Sequence, residues 1–330
     1  MEIEITVRKA NIKSKSLERQ SQRNAFIIEG GGTKGVYAVG ILRYLMEENP
    51  VLDLSTVDVV GGTSIGGIIA AGLALGLNWS AIAEIMIDIH LEDLRDPRYM
   101  APVSLTRLLT SGYAFRGAAR EETVRLVLEK ANVTDITFGE LAAKCNTESG
   151  YNYRHLIMNA VDLNHGRQVF MSSLDASWHK IRIRDAMLAT SAIPFIFKHT
   201  TLYFDGSCYN YDTGEICRLI DGGLDTNNPL DYFILHSALR DHKIWLLQFR
   251  EDGTYDESVG LWSMIRQVYR FLLSKTNIKM KFIEQSYNIN TLNLKLNASS
   301  LRIYSQQEIQ EIISSVYDKC RIGDYSFRNI

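Results

Sequence analysis

Apolar positions along this chain fall into two rhythms. Short runs rich in β-branched residues stop at glycine and read as buried strands: residues 24–29 and 57–60 come first. Each is followed by an apolar helical stretch, one carrying Val36, Val39, Ile41, Leu42 and Leu45, the other a small-residue run from Ile65 to Gly76. Strand, glycine turn and helix, twice over, predict an α/β domain. Residues 80–90, 118–130 and 138–144 read as helices. Residues 154–161 and 167–171 read as strands, joined as a hairpin across Asn164-His165-Gly166. A helix over 229–240 with Pro229 at its start leads into a strand at 243–249. A long amphipathic pattern covers 257–285, and a last helix opens at the capping box Ser305…Glu308. Residues 9–23 are polar and basic. The pattern divides the chain into a basic arm (1–23), a catalytic domain (24–250) and a helical extension packed on or capping it (251–330).

Composition narrows the class. With 330 residues, 46% of them hydrophobic, there is room for one large α/β domain with a cap or tail. A net charge of −2 argues against a nucleic-acid partner. The start, Met1-Glu2-Ile3-Glu4, lacks a signal-peptide pattern, and no stretch reads as a transmembrane helix. The four cysteines, Cys145, Cys208, Cys217 and Cys320, form no C-x-x-C pair. They are expected to be reduced thiols in a cytosolic protein that uses no metal and no cofactor. Export by a route without a cleaved signal stays open.

Chemistry enters at the glycines. Gly62-Thr63-Ser64-Ile65-Gly66 is G-x-S-x-G at a strand-to-helix join. Such a turn presents the Ser64 hydroxyl at a helix N-terminus, where free N–H groups favour developing negative charge. Glycines two residues either side let the backbone approach itself closely. Ser64 is therefore the candidate nucleophile for acyl transfer. The earlier join, Gly30-Gly31-Gly32-Thr33-Lys34-Gly35, is formally the dinucleotide fingerprint G-x-G-x-x-G. That reading needs an acid at the end of the next strand, which instead ends in Gly61-Gly62-Thr63-Ser64; Asp53 lies in the loop before it. What survives is a cradle of backbone amides suited to an oxyanion. A base is offered by Cys217-Arg218-Leu219-Ile220-Asp221, a strand ending in an acid at Gly222-Gly223. The C-terminal ends of strands are where α/β sheets gather their sites, although an Asp there also commonly caps a turn.

Together with Ala-Thr-Ser-Ala-Ile-Pro (189–194) and Asp-Gly-Gly-Leu-Asp-Thr-Asn-Asn-Pro (221–229), these stretches resemble the patatin-like phospholipases, in that family's order, over about residues 24–230. The resemblance implies a three-layer α/β/α sandwich with a central, mostly parallel sheet. It also implies lipid acyl-ester hydrolysis, usually of phospholipids, by a Ser–Asp dyad. Ser64 matches the nucleophile, Asp221 the base, and Gly30, Gly31 and Gly32 the oxyanion loop, with Lys34, Gly35, Gly62, Gly66, Gly222 and Gly223 as motif support. Lys34 departs from the arginine common in the family; it keeps the charge and loses the planar fork. Phe204-Asp205-Gly206-Ser207 is a partial Asp-Gly match without the following Asn-Asn-Pro, and ranks below Asp221.

Several expectations follow from that reading. Burial should raise the Asp221 pKa toward working pH. The substrate should be a phospholipid or other acyl lipid met at a membrane surface, with no protein partner specified. The runner-up is a soluble ester or thioester hydrolase using a Ser–His–Asp triad with His236 or His242; a lipid-binding relic ranks third. Within 257–285, apolar Leu261, Trp262, Ile265, Val268, Tyr269, Leu272 and Leu273 alternate with Arg266, Arg270, Lys275, Lys279 and Lys281. That pattern suits either packing on the sheet or contact with an anionic surface.

Overall fold

The computed structural model describes residues 3–8, 23–48, 52–88, 101–115, 117–147, 153–250, 267, 289–296 and 304–322. In chain order these form β1 (Ile3–Arg8), β2 (Asn24–Ile28), α1 (Gly35–Glu47), β3 (Val57–Gly62), α2 (Ile65–Ala74) and α3 (Trp79–Asp88). Then come α4 (Ala101–Ser111), β4 (Tyr113–Phe115), α5 (Ala118–Lys130), α6 (Phe138–Thr147), β5 (His155–Asp162), β6 (Arg167–Ser172) and α7 (Ile183–Thr190). The remainder is β7 (Phe195–Phe197), β8 (Thr200–Phe204), β9 (Tyr209–Asn210), β10 (Glu215–Asp221), α8 (Leu230–Leu235), β11 (Lys243–Arg250), β12 (Ile289–Leu296) and α9 (Gln306–Ile322).

The strands build a mixed sheet in the order β1-β12-β11-β2-β3-β5-β10-β8-β9, with β6 also on β5; β4 and β7 pair separately. The run β12-β11-β2-β3-β5 is parallel, and the strands at its margins are antiparallel. Central strands are apolar at successive positions because both faces are covered. Phe26, Ile28, Val60, Leu156, Met158, Trp245 and Leu247 face one core, beneath a layer built from α1, α2, α3, α5, α7 and α9. Ala25, Ile27, Val59, Ile157, Ile244 and Leu246 face the other, where Leu230 and Phe233 of α8 cover them. This is the layered α/β/α arrangement with central parallel strands. Arg154 ties it together at one end: its guanidinium donates to the carbonyls of Leu54, Val57 and Leu73 at 3.2, 3.0 and 2.7 Å. One side chain thereby caps the C-terminus of α2 and holds the entry to β3.

Three readings need correction. Residues 1–23 are not simply an arm, since β1 pairs antiparallel with β12 from Ile3↔Leu296 to Arg8↔Thr291. Nor is 251–330 purely helical, because β12 joins the main sheet between β1 and β11. Both strands flank long polar or amphipathic stretches that mask a short alternating pattern. The expected 229–240 helix stops at Leu235: His236 is extended at φ −77, ψ 121, and a short 3-10 turn follows over Ser237–Leu239. The basic stretch 9–22 and the amphipathic pattern 257–285, Gln267 apart, lie outside the described residues.

Candidate active site

The register of β5 brings the two key turns together. On one edge of β5, β6 pairs along residues 157–162. Its other edge is shared: β3 runs parallel to Gly62↔Met158, and β10 runs antiparallel to Asp221↔Ala160. The two strands therefore approach end to end, and both stop at Asn159. Past Gly62 comes Ser64; at the tip of β10 stands Asp221. Asn159 is fully buried between them. Its Oδ1 accepts from the Thr63 hydroxyl, and its Nδ2 donates to the Thr226 carbonyl at 2.8 Å. Its backbone carbonyl accepts from the Thr190 hydroxyl at 2.7 Å, and the oxygen of that hydroxyl accepts from the Ser64 amide at 3.0 Å. The Asp221 amide donates to Ala192 at 3.0 Å. The Ala-Thr-Ser-Ala-Ile-Pro stretch thus bridges the Ser64 turn and the Asp221 turn.

Ser64 sits at φ 54, ψ −128, a conformation costly for a residue with a side chain. Close packing of the backbone on both sides holds it. A Cβ on Gly62 would come 2.3 Å from the Gly66 carbonyl, and one on Gly66 would come 2.4 Å from that of Ile28. The glycines of G-x-S-x-G are there because backbone occupies the space. Ser64 is 5% exposed and stands at the N-terminus of α2.

The Gly30–Gly32 loop is clamped to the turn that follows Asp221. Gly30 donates its amide to the Asn227 carbonyl at 2.9 Å and accepts from the Asn227 side chain at 2.7 Å. Its amide is committed to Asn227, so of the three loop glycines Gly30 has no N–H to offer an oxyanion. Among the described residues, no acceptor takes the Gly31 or Gly32 amide. Beneath the loop lies Glu29, which the sequence reading did not single out. Its carboxylate accepts from the Phe249 amide at 2.9 Å and from Asn228. Burial lifts its pKa to about 7, against the pull of Arg250 and Lys34. Lys34 is itself buried, and its charge works inside the loop on Glu29.

Asp221 is wholly buried. Its Oδ1 accepts from the Gly223 amide at 2.8 Å, while among the described residues Oδ2 has no partner within normal hydrogen-bonding geometry. Burial raises the carboxyl to about pH 6; the neighbouring Ser64 hydroxyl, the Gly223 amide and the Arg120 charge oppose the rise. A contact of this kind is commonly long before substrate arrives and tightens afterwards.

No histidine among the described residues touches Ser64 or Asp221. His242 pairs with Asp58 at 3.0 Å, beside the start of β3 and so at the opposite end of the sheet. His236 stacks on Tyr232. Asp205 caps its own turn, accepting from the amides of Ser207 and Cys208. Asp53 likewise caps a turn through Ser55. Asp162, His165 and Cys217 place ligand-type atoms within 4.8 Å of one another. His165 is held between Asp162 and Glu215, and burial pushes the Cys217 thiol up to about 12. None of the four cysteines is in a disulfide.

A family model described as patatin-like phospholipase matches residues 26–234. An uncharacterized protein of Acanthamoeba polyphaga mimivirus is 35% identical over 97% of this chain and 93% of its own length. A cGAMP-activated phospholipase of Escherichia coli is 28% identical over 66% of this chain and 56% of its own length. A cUMP-AMP-activated phospholipase of Escherichia coli is 25% identical over 81% and 74%. Among solved structures, VipD from Legionella pneumophila superposes with a TM-score of 0.45 at 12% identity, over 93% of this chain and 72% of that one. The type III effector ExoU superposes at 0.46 and 16%, over 90% and 52%. The chain belongs to the patatin-like phospholipase family, a family of lipid acyl hydrolases.

Proposed function

We propose that this chain cleaves acyl esters of phospholipids at a membrane surface, with Ser64 as nucleophile and Asp221 as its base. What carries this reading is the end-to-end meeting of β3 and β10 on one edge of β5, both stopping at Asn159. Asp221 takes the Ser64 proton as Oγ attacks the ester carbonyl. The oxyanion falls on the Gly31 and Gly32 amides, fixed dipoles in a site that water does not reorganise. Asp221 then returns the proton to the leaving alcohol, and water repeats the cycle on the acyl-enzyme. A base near pH 6 is matched to such work at neutral pH. No described helix is long and apolar enough to cross a membrane, so contact with lipid is taken to be peripheral. Two of the relatives are named for activation by a cyclic dinucleotide; cGAMP therefore belongs among the additives in any assay of this chain.

A fluorophosphonate probe tests the nucleophile. The expected result is one modified residue, Ser64, with labelling abolished in Ser64→Ala while the melting transition persists. Labelling that survives in Ser64→Ala would overturn the assignment.

A further inference from the structure

A cation stands beside the base with two of its nitrogens unused. Arg120 lies in the first turn of α5 and is 6% exposed. Its Nη2 donates to the Lys198 carbonyl at 3.1 Å, and its guanidinium lies over the Phe197 ring at 5.0 Å. Among the described residues, Nε and Nη1 have no hydrogen-bond partner. Two orphaned donors on a buried guanidinium are costly unless an acceptor arrives to take them. Burial lowers the pKa only to about 10, so the group is charged at neutral pH.

Its neighbours say what kind of acceptor fits. The charge reaches Asp221 and opposes the rise in its pKa. The chain from Ala192, which holds the Asp221 amide, runs within a few residues into β7. Gly117, in the left-handed region at φ +88, precedes α5; a Cβ there would sit 3.4 Å from the Arg120 Nε. Phe195, at the start of β7 with φ 64, is 55% exposed, so an apolar side chain reaches the surface two residues from the ring that Arg120 covers. An anion and an acyl chain are thus accommodated side by side. A phospholipid offers that combination, because its phosphodiester is only a few bonds from the acyl ester.

We propose that Arg120 is a specificity residue, binding the phosphodiester of the substrate through an unpaired guanidinium N–H and its charge while the adjacent acyl ester lies at Ser64. The Nε and Nη1 hydrogens point to opposite sides of the guanidinium, so either one meets a phosphate oxygen as a single charge-assisted hydrogen bond. The proposal rests on the lipase reading, and it assigns the headgroup to Arg120 instead of to Lys34, which is occupied inside the loop.

The test compares dioleoylphosphatidylcholine with dioleoylglycerol in the same neutral detergent micelles, which removes the phosphodiester and keeps the acyl ester. Arg120→Gln should lower the ratio of the two kcat/KM values by about 10- to 100-fold, the loss expected for a charged hydrogen-bonding pair, with Arg120→Lys between it and the parent. An unchanged ratio in a folded Arg120→Gln would overturn the proposal, since it would leave Arg120 acting only through Asp221. If Arg120→Gln does not fold, the same ratio in Arg120→Lys decides. Hexadecylphosphocholine should inhibit dioleoylglycerol hydrolysis by the parent more strongly than hexadecanol does, and Arg120→Lys should weaken that inhibition. Equal inhibition by inorganic phosphate alone would assign the site to free phosphate and reject the headgroup. If the parent cleaves neither lipid, the lipase reading falls. The anion site is then judged on its own, by whether hexadecylphosphocholine raises the melting temperature of the parent and not of the variants.

Discussion

Asp221 carries a conflict that can be measured. The fold buries its carboxyl completely and spends one oxygen on the Gly223 amide, so its proton leaves only near pH 6. As the proposed base it must be ionised, so kcat/KM should climb with pH through about 6 and then level off. Asp221→Asn should lower turnover on the order of 10²–10⁴-fold, as for other lost general bases. Stability should move the other way. The folded pKa lies above the ordinary 3.8, so the favourable contribution of this group is complete below pH 4 and is lost as pH rises through 6. At pH 8 the buried charge costs about 3 kcal/mol, and Asp221→Asn should melt higher than the parent there. The advantage should vanish near pH 4. A variant equally inactive but no more stable at pH 8 would show that the carboxyl is not desolvated.

At the level of elements, the oxyanion loop and the end of β11 share one buried acid. Glu29 closes β2, accepts from the Phe249 amide, and is approached by Asn228 from the base turn. Its folded pKa, about 7 against an ordinary 4.5, has the same sign as that of Asp221. Glu29→Gln keeps an acceptor for Phe249 and removes the charge. It should stabilise the protein progressively between pH 4.5 and 7 and by a constant amount above, read from melting curves across that range. A flat difference with pH would mean that Glu29 is ionised throughout. Ser64 and Asp221 are legible in the sequence because each lies where an apolar run meets glycines, and local chemistry marks such turns. Asn159, Thr190, Glu29 and Arg120 are not. Asn159 looks like any polar residue interrupting a strand until β3 and β10 are seen to end against it. Arg120 reads as one of several charges on a solvated helix, and only tertiary packing buries it. Glu29 had a weak signal, an acid closing an apolar strand just before the glycine loop.

For the whole molecule, the elements that carry the candidate site depend on β1 and β12. β12 pairs with β11 and β1 closes over β12, so the strand that meets the Glu29 carboxylate is itself held by residues beyond 288. The period of the last helix and its capping box are visible in sequence; where it docks is not. Ser305 and Glu308 form the reciprocal cap, at 2.8 and 3.2 Å, and Ile309, Ile312, Ile313, Val316 and Tyr317 are buried. They lie against α1, whose N-terminus continues the oxyanion loop. Arg43 of α1 is sandwiched between the Trp79 and Tyr317 rings at 4.9 and 4.0 Å, joining α1, α3 and α9. Gly40 sits hard against α9: a Cβ there would sit 2.6 Å from the Val316 Cβ and 2.9 Å from the Ile313 carbonyl. Two effects oppose each other at Gly40→Ala. Helix propensity alone predicts stabilisation of about 1 kcal/mol for alanine inside a helix. Overpacking against backbone predicts a loss of about 1–3 kcal/mol, because the carbonyl of Ile313 cannot swing aside as a side chain would. Packing should win, lowering the urea midpoint. A rise in the midpoint would mean that α9 does not seat on α1 as closely as Gly40 requires, and that the loop behind Ser64 is braced by the sheet alone.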